Sequence, residues 1–101
     1  MVVTSFMKRC REDVAAVFVS LDLTQPEFLL SGPPGHEFFA ATFLLEGQEH
    51  RIEIATDIPM LYVGDRRLEC YLREEFVSEE ALAMAFAGRL RRLLAGGSWD
   101  S

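Results

Sequence analysis

Residues 38–56 read FFAATFLLEGQEHRIEIAT, and the fold turns on this stretch. On either side of Gly47-Gln48 the residues follow the period of two that sends successive side chains to opposite faces of a strand. Phe38 to Glu46 and Glu49 to Thr56 therefore read as paired strands, and Gly leading a two-residue turn suits the type II′ geometry of a tight hairpin. With that turn, Leu45 opposes His50, Phe43 opposes Ile52 and Ala41 opposes Ile54, all on one face. Leu44 with Arg51, Thr42 with Glu53 and Ala40 with Ala55 fall on the other. A slip of one residue would send Ile52 and Ile54 to the wrong side, so the apolar pattern selects the buried face.

Working outward, Met60 to Val63 and Arg66 to Arg73 form a second hairpin through Gly64-Asp65. One of its faces collects Leu61, Val63, Leu68, Cys70 and Leu72. The other carries Met60, Tyr62, Arg67, Tyr71 and Arg73 together with Glu69. Upstream, Phe28 to Leu30 is a brief strand closed by the turn-forming run Ser31-Gly32-Pro33-Pro34-Gly35. Before it, Phe6, Cys10, Val14, Val17, Phe18 and Leu21 recur on one helical stripe, which Thr4 or Ser5 caps and which ends ahead of Pro26.

A second helix starts at Ser78, with Glu79 and Glu80 in its first turn and Val77 placed to staple onto Leu82. Leu82, Phe86, Leu90 and Leu93 form its apolar stripe, Gly96-Gly97 ends it, and the tail from Ser98 is expected to fray. The order predicts one α+β domain over residues 1–101: an N-terminal helix, an antiparallel β-meander of four to five strands, and a C-terminal helix. Both helices are expected to pack on one sheet face.

The totals bound the function classes. A chain of 101 residues accommodates one core, and half of its residues are apolar. The formal net charge of −6 opposes binding to a phosphate backbone, so nucleic acid is not an expected partner. The charge is uneven, because between Glu12 and Asp57 nine acids stand against Arg51 alone. No apolar run reaches the length of a membrane span, no cleaved signal is apparent, and the two cysteines, Cys10 and Cys70, occupy different elements. A cytoplasmic setting is the expectation.

Phosphate-binding, dinucleotide-binding, zinc-protease, paired-cysteine and nucleophile-elbow motifs are all missing, so no catalytic residue, cofactor or metal ligand is assigned. His50 lies near Glu46 and Glu49 in sequence, but the two acids oppose each other on the face away from His50. His36, after the Pro-Pro-Gly loop, is the other histidine with a place for function. Cys10 and Cys70 read as small core residues.

The face with Met60, Tyr62, Arg67, Tyr71 and Arg73 is richer, because Tyr, Met and Arg are enriched where proteins meet. It points to a noncatalytic protein-binding or adaptor module whose partner is another protein or a second copy, engaged through that face or a sheet edge. The alternative is a small enzyme or ligand-binding domain using His36 or His50 in a pocket between sheet and helices. In size, acidity, opening helix, antiparallel sheet and closing amphipathic helix, the chain resembles the small acidic chaperones of bacterial type III secretion. That resemblance implies a secretion-chaperone role and a dimer. The chain departs from it between Thr56 and Met60, where such a chaperone would dimerise through a middle helix and none is evident here.

Overall fold

The computed structural model describes residues 3–68 and 75–99. Helix α1 spans Ser5–Ser20 and helix α2 spans Glu79–Leu94. Between them run β1 Leu29–Ser31, β2 Phe38–Leu45, β3 Gln48–Ile54, β4 Pro59–Val63 and β5 Arg66–Arg67. The strands form one antiparallel sheet in chain order. Tyr71, Arg73 and Cys70 lie outside the described residues.

Thr4 caps α1: its Oγ1 accepts the Met7 N–H at 3.2 Å, and its hydroxyl donates to the Thr56 carbonyl at 3.2 Å. One hydroxyl thus satisfies an orphan helix donor and ties the helix start to the bend after β3. The helix ends because Asp22 takes a left-handed φ of 59°. Its N–H donates to Val19 C=O and that of Leu23 donates to Phe18 C=O, the paired closure of a Schellman motif. The termination therefore precedes Pro26 by several residues and uses local hydrogen bonds.

Ser78 caps α2 as expected, accepting the Ala81 N–H at 3.1 Å. The staple does not form: Val77 is 97% exposed, and Phe76, one residue earlier, packs against the core in its place. At the other end Gly96, at φ 97°, lets Gly97 N–H reach Arg92 C=O at 2.8 Å. This closure turns the chain back over the helix. The tail does not fray at Trp99, which is buried, its ring edge-on to Phe86 at 5.4 Å between centroids. The correction follows from the area of an indole, whose burial outweighs the ordering of two tail residues.

The central hairpin forms with a shifted turn. Leu45 pairs with Gln48, Phe43 with His50, Ala41 with Ile52 and Phe39 with Ile54, so the turn residues are Glu46-Gly47. Both have positive φ, 52° and 78°, as a type I′ turn requires; that turn's twist matches the strands it joins. The register differs from the Gly47-Gln48 expectation by two residues. Because side chains alternate with period two, the shift leaves Phe39, Ala41, Phe43, Ile52 and Ile54 on the buried face. Glu46 in a left-handed conformation is unfavourable by comparison with asparagine, the usual residue there. Glu46→Asn is expected to raise stability by about 0.5–1 kcal/mol, relieving part of the left-handed penalty, with a matching rise in the urea midpoint.

The second hairpin has the expected register, Tyr62 opposite Arg67 and Val63 opposite Arg66. Between β3 and β4 there is no helix: Ala55 N–H donates to Ile58 C=O, and the chain reverses over residues 55–58. Both helices cover one side of the sheet. Phe6, Met7, Cys10 and Val14 from α1 join Ile52, Ile54 and Leu61 from the strands and Leu82, Phe86 and Leu90 from α2 in one core. Full burial of each large side chain contributes about 1.5–3 kcal/mol.

Candidate functional site

Once the helices occupy one face of the sheet, the residues of opposite parity are left on the other. On that open face the cross-strand row runs Thr42, Arg51, Tyr62, Arg67 over β2 to β5. A second row holds Leu29, Ala40, Glu53 and Met60. Leu29 is 59% exposed and Leu44, on the same face, 75%.

The centre of the face is ordered by Arg51. Its guanidinium lies 4.4 Å from the centroid of the Tyr62 ring, and its Nε donates to Glu53 Oε2 at 2.7 Å. The ring and the carboxylate together hold the cation in place on the sheet, leaving an amphipathic surface. Tyr62 lies within reach of Met60, hydroxyl to Sδ 3.9 Å. Of the residues expected here, the structure places Met60, Tyr62 and Arg67 on one face; Tyr71 and Arg73 lie outside the described residues. Sequence reasoning did not single out Arg51. Its signal was available in the parity of β3, but it needed the register between β3 and β4, which the short reversal at residues 55–58 sets.

The histidines stand elsewhere. His50 is buried on the helix-covered face, stacked on Phe43 at 5.2 Å, with Nδ1 3.0 Å from Gln48 C=O. A carbonyl can only accept, so Nδ1 carries the hydrogen of that bond. Glu46 is in the turn itself and Glu49 opposes Leu44, so the expected opposition of the two acids is corrected by the register. Among the described residues no three His, Cys, Asp or Glu side chains come together as a metal site. His36 is exposed, its N–H closing a turn onto Pro33 C=O at 2.9 Å.

Clefts formed among the described residues include two beside the helices. One, of about 390 Å³, lies between the segment after α1 and β2, and is walled by Phe18, Leu23, Pro26, Phe43, Leu44 and Leu94 among others. The other, of about 360 Å³, follows the groove between α1 and α2 beside Met84 and Gly88. Neither is lined by His36 or His50.

Cys10 is a free thiol in the core, and its pKa is pushed up to about 12, first by burial and then by the neighbouring Asp13 carboxylate. The folded protein therefore holds this proton where the unfolded chain, titrating near 9.0, releases it. Its contribution to stability is intact below pH 9 and is lost as pH rises toward 12, at about 1 kcal/mol per pH unit. Urea titrations should show wild-type stability falling more steeply than that of Cys10→Ala above pH 9. Parallel slopes would mean the thiol is reachable by solvent.

Among the described residues no helix is long and apolar enough to cross a membrane. No family model, curated protein or solved structure matches the chain.

Proposed function

We propose that this chain is a noncatalytic protein-binding module whose open sheet face receives a partner, either another protein or a second copy. The observation that carries this reading is the Thr42, Arg51, Tyr62, Arg67 row flanked by Met60 and Leu44: a Tyr and Arg surface with no helix over it among the described residues. Aromatic and guanidinium groups already ordered by their neighbours lose little freedom on binding, so such a surface suits recognition. Cytoplasmic placement belongs to the same reading, since Cys10 is a buried free thiol that uses no oxidising compartment. The reversal at residues 55–58 stands where a secretion chaperone would place its dimerising helix, so the secretion-chaperone version of this reading keeps only the resemblance in size, acidity and element order.

The test pairs Tyr62→Ala with Arg67→Glu. A partner recovered with the tagged wild-type chain is identified, purified and titrated back by calorimetry against both proteins; self-association is read by sedimentation. Loss of two central anchors is expected to weaken binding by roughly 30-fold or more, with the thermal melt unchanged. Equal affinity for the double variant would remove the open face from the function.

A further inference from the structure

β1 covers only part of β2. Its residues pair with Phe38, Phe39 and Ala40, and the ladder stops there. The chain preceding β1 does not follow the remaining edge: Leu23, Thr24, Gln25 and Pro26 line the larger cleft together with Thr42, Phe43, Leu44 and Leu45. Consecutive strand residues alternate between faces, so a cleft lined by four in succession runs along the edge of the strand. Phe43 and Leu45 border it on the helix-covered side, and Thr42 and Leu44 on the open side.

The ladder also tells which backbone groups look into this cleft. Gly64 N–H donates to Glu49 C=O at 3.0 Å, so Glu49 directs its backbone groups toward β4. Its partner Leu44 then directs its own away from β3, and by the period of two so does Thr42. The N–H and C=O of both residues thus face the cleft, beyond the reach of the β1 ladder. An edge with free donors and acceptors and apolar walls is a template for one more strand.

The chain segments around the cleft give the charge of the occupant. Asp22, Glu27 and Glu46 are exposed and adjoin the lining residues Leu23, Pro26 and Leu45. From Glu12 to His50 the chain has no Lys or Arg. Of the nearby basic residues, Arg51 stands opposite Thr42 but is already paired with Glu53 Oε2 at 2.7 Å, and Arg91 lines the separate groove between the helices.

We infer that the Ala41–Leu45 edge of β2 captures an extended basic segment of a partner protein as an added strand, with apolar side chains at alternate positions entering the cleft beside Phe43. This rests on the protein-binding reading and assigns to it a binding mode and a partner chemistry.

The probe is a fluorescein-labelled hexapeptide alternating Val and Lys, titrated against the full chain by anisotropy. Two versions N-methylated at alternate amides, in opposite phases, accompany it. Strand addition predicts that one phase loses at least tenfold in affinity while the other binds like the parent, because only one set of amides faces β2. Thr42→Pro is expected to lose at least tenfold as well: it removes a donor that points out of the β2 and β3 ladder, where an edge proline is tolerated. On binding, amide exchange at Thr42 and Leu44 should slow at least tenfold. Equal binding of both methylated phases, no binding of the parent peptide, or equal binding of a Val and Glu analogue would each overturn the inference. If a recovered partner is lost by the Tyr62→Ala and Arg67→Glu protein and kept by Thr42→Pro, the edge assignment falls and the open-face reading stands. The reverse result moves the binding site to the edge.

Discussion

Phe86→Ala should lower the unfolding free energy by about 3–5 kcal/mol, the cost of truncating a fully buried aromatic ring in a core that cannot collapse around the gap. Phe86 is completely buried on α2, in one cluster with α1 and strand residues, so the cavity would open where helices and sheet meet. A domain of this size has roughly 5–15 kcal/mol of stability in all, so the variant would be marginal near body temperature. Urea unfolding followed by far-ultraviolet circular dichroism gives the number. Phe86→Leu, which keeps most of the volume, should cost about 1–2 kcal/mol, well short of the alanine truncation. A loss below about 1 kcal/mol for the alanine variant would mean that α2 is not docked as described.

Trp99→Ala should cost about 3 kcal/mol, a large effect for a residue two short of the end of the sequence. Trp99 is 4% exposed, meets Phe86 edge-on, and has the Arg89 guanidinium 5.6 Å from its ring. It is also the only tryptophan, so its emission should be blue-shifted in the native protein and move to the red in urea with the same midpoint as the circular dichroism. Trp99→Phe should recover most of the loss. Combining Trp99→Ala with Phe86→Ala should show a coupling of about 0.5–1.5 kcal/mol, the share belonging to the ring pair. A native emission already at the wavelength of the unfolded chain would show that the tail is not packed.

These two variants test the support beneath the proposed binding surfaces. β3 and β4 are held from behind: Ile52 and Leu61, directly opposed in the ladder, are both fully buried in the core shared with the helices. Their neighbours of opposite parity, Arg51 and Tyr62, are thereby set side by side on the other face. Loosening the core is expected to weaken partner binding through the geometry of this pair, with no change to the surface residues themselves.

What the sequence determined by itself is what short-range periodicity and local hydrogen bonding control. The alternation in residues 38–56 chose the buried face, and it did so even though the turn was placed one residue late, because a register shift of two does not exchange faces. The helix stripes, the cap at Ser78, the narrowing of the α1 cap to Thr4 or Ser5, the stop at Gly96 and the register of the second hairpin were legible for the same reason. Tertiary structure decided what depends on residues far apart in the chain or on competing local fits. It set Glu46-Gly47 as the turn, exchanged Phe76 for Val77 at the start of α2, and brought Trp99 onto Phe86. It laid Arg51 over Tyr62, and it ended β1 early enough to leave the edge of β2 open. Each of these outcomes is a choice among partners of similar local merit, and only the packing of the whole core, which rewards one combination of buried areas, separates them.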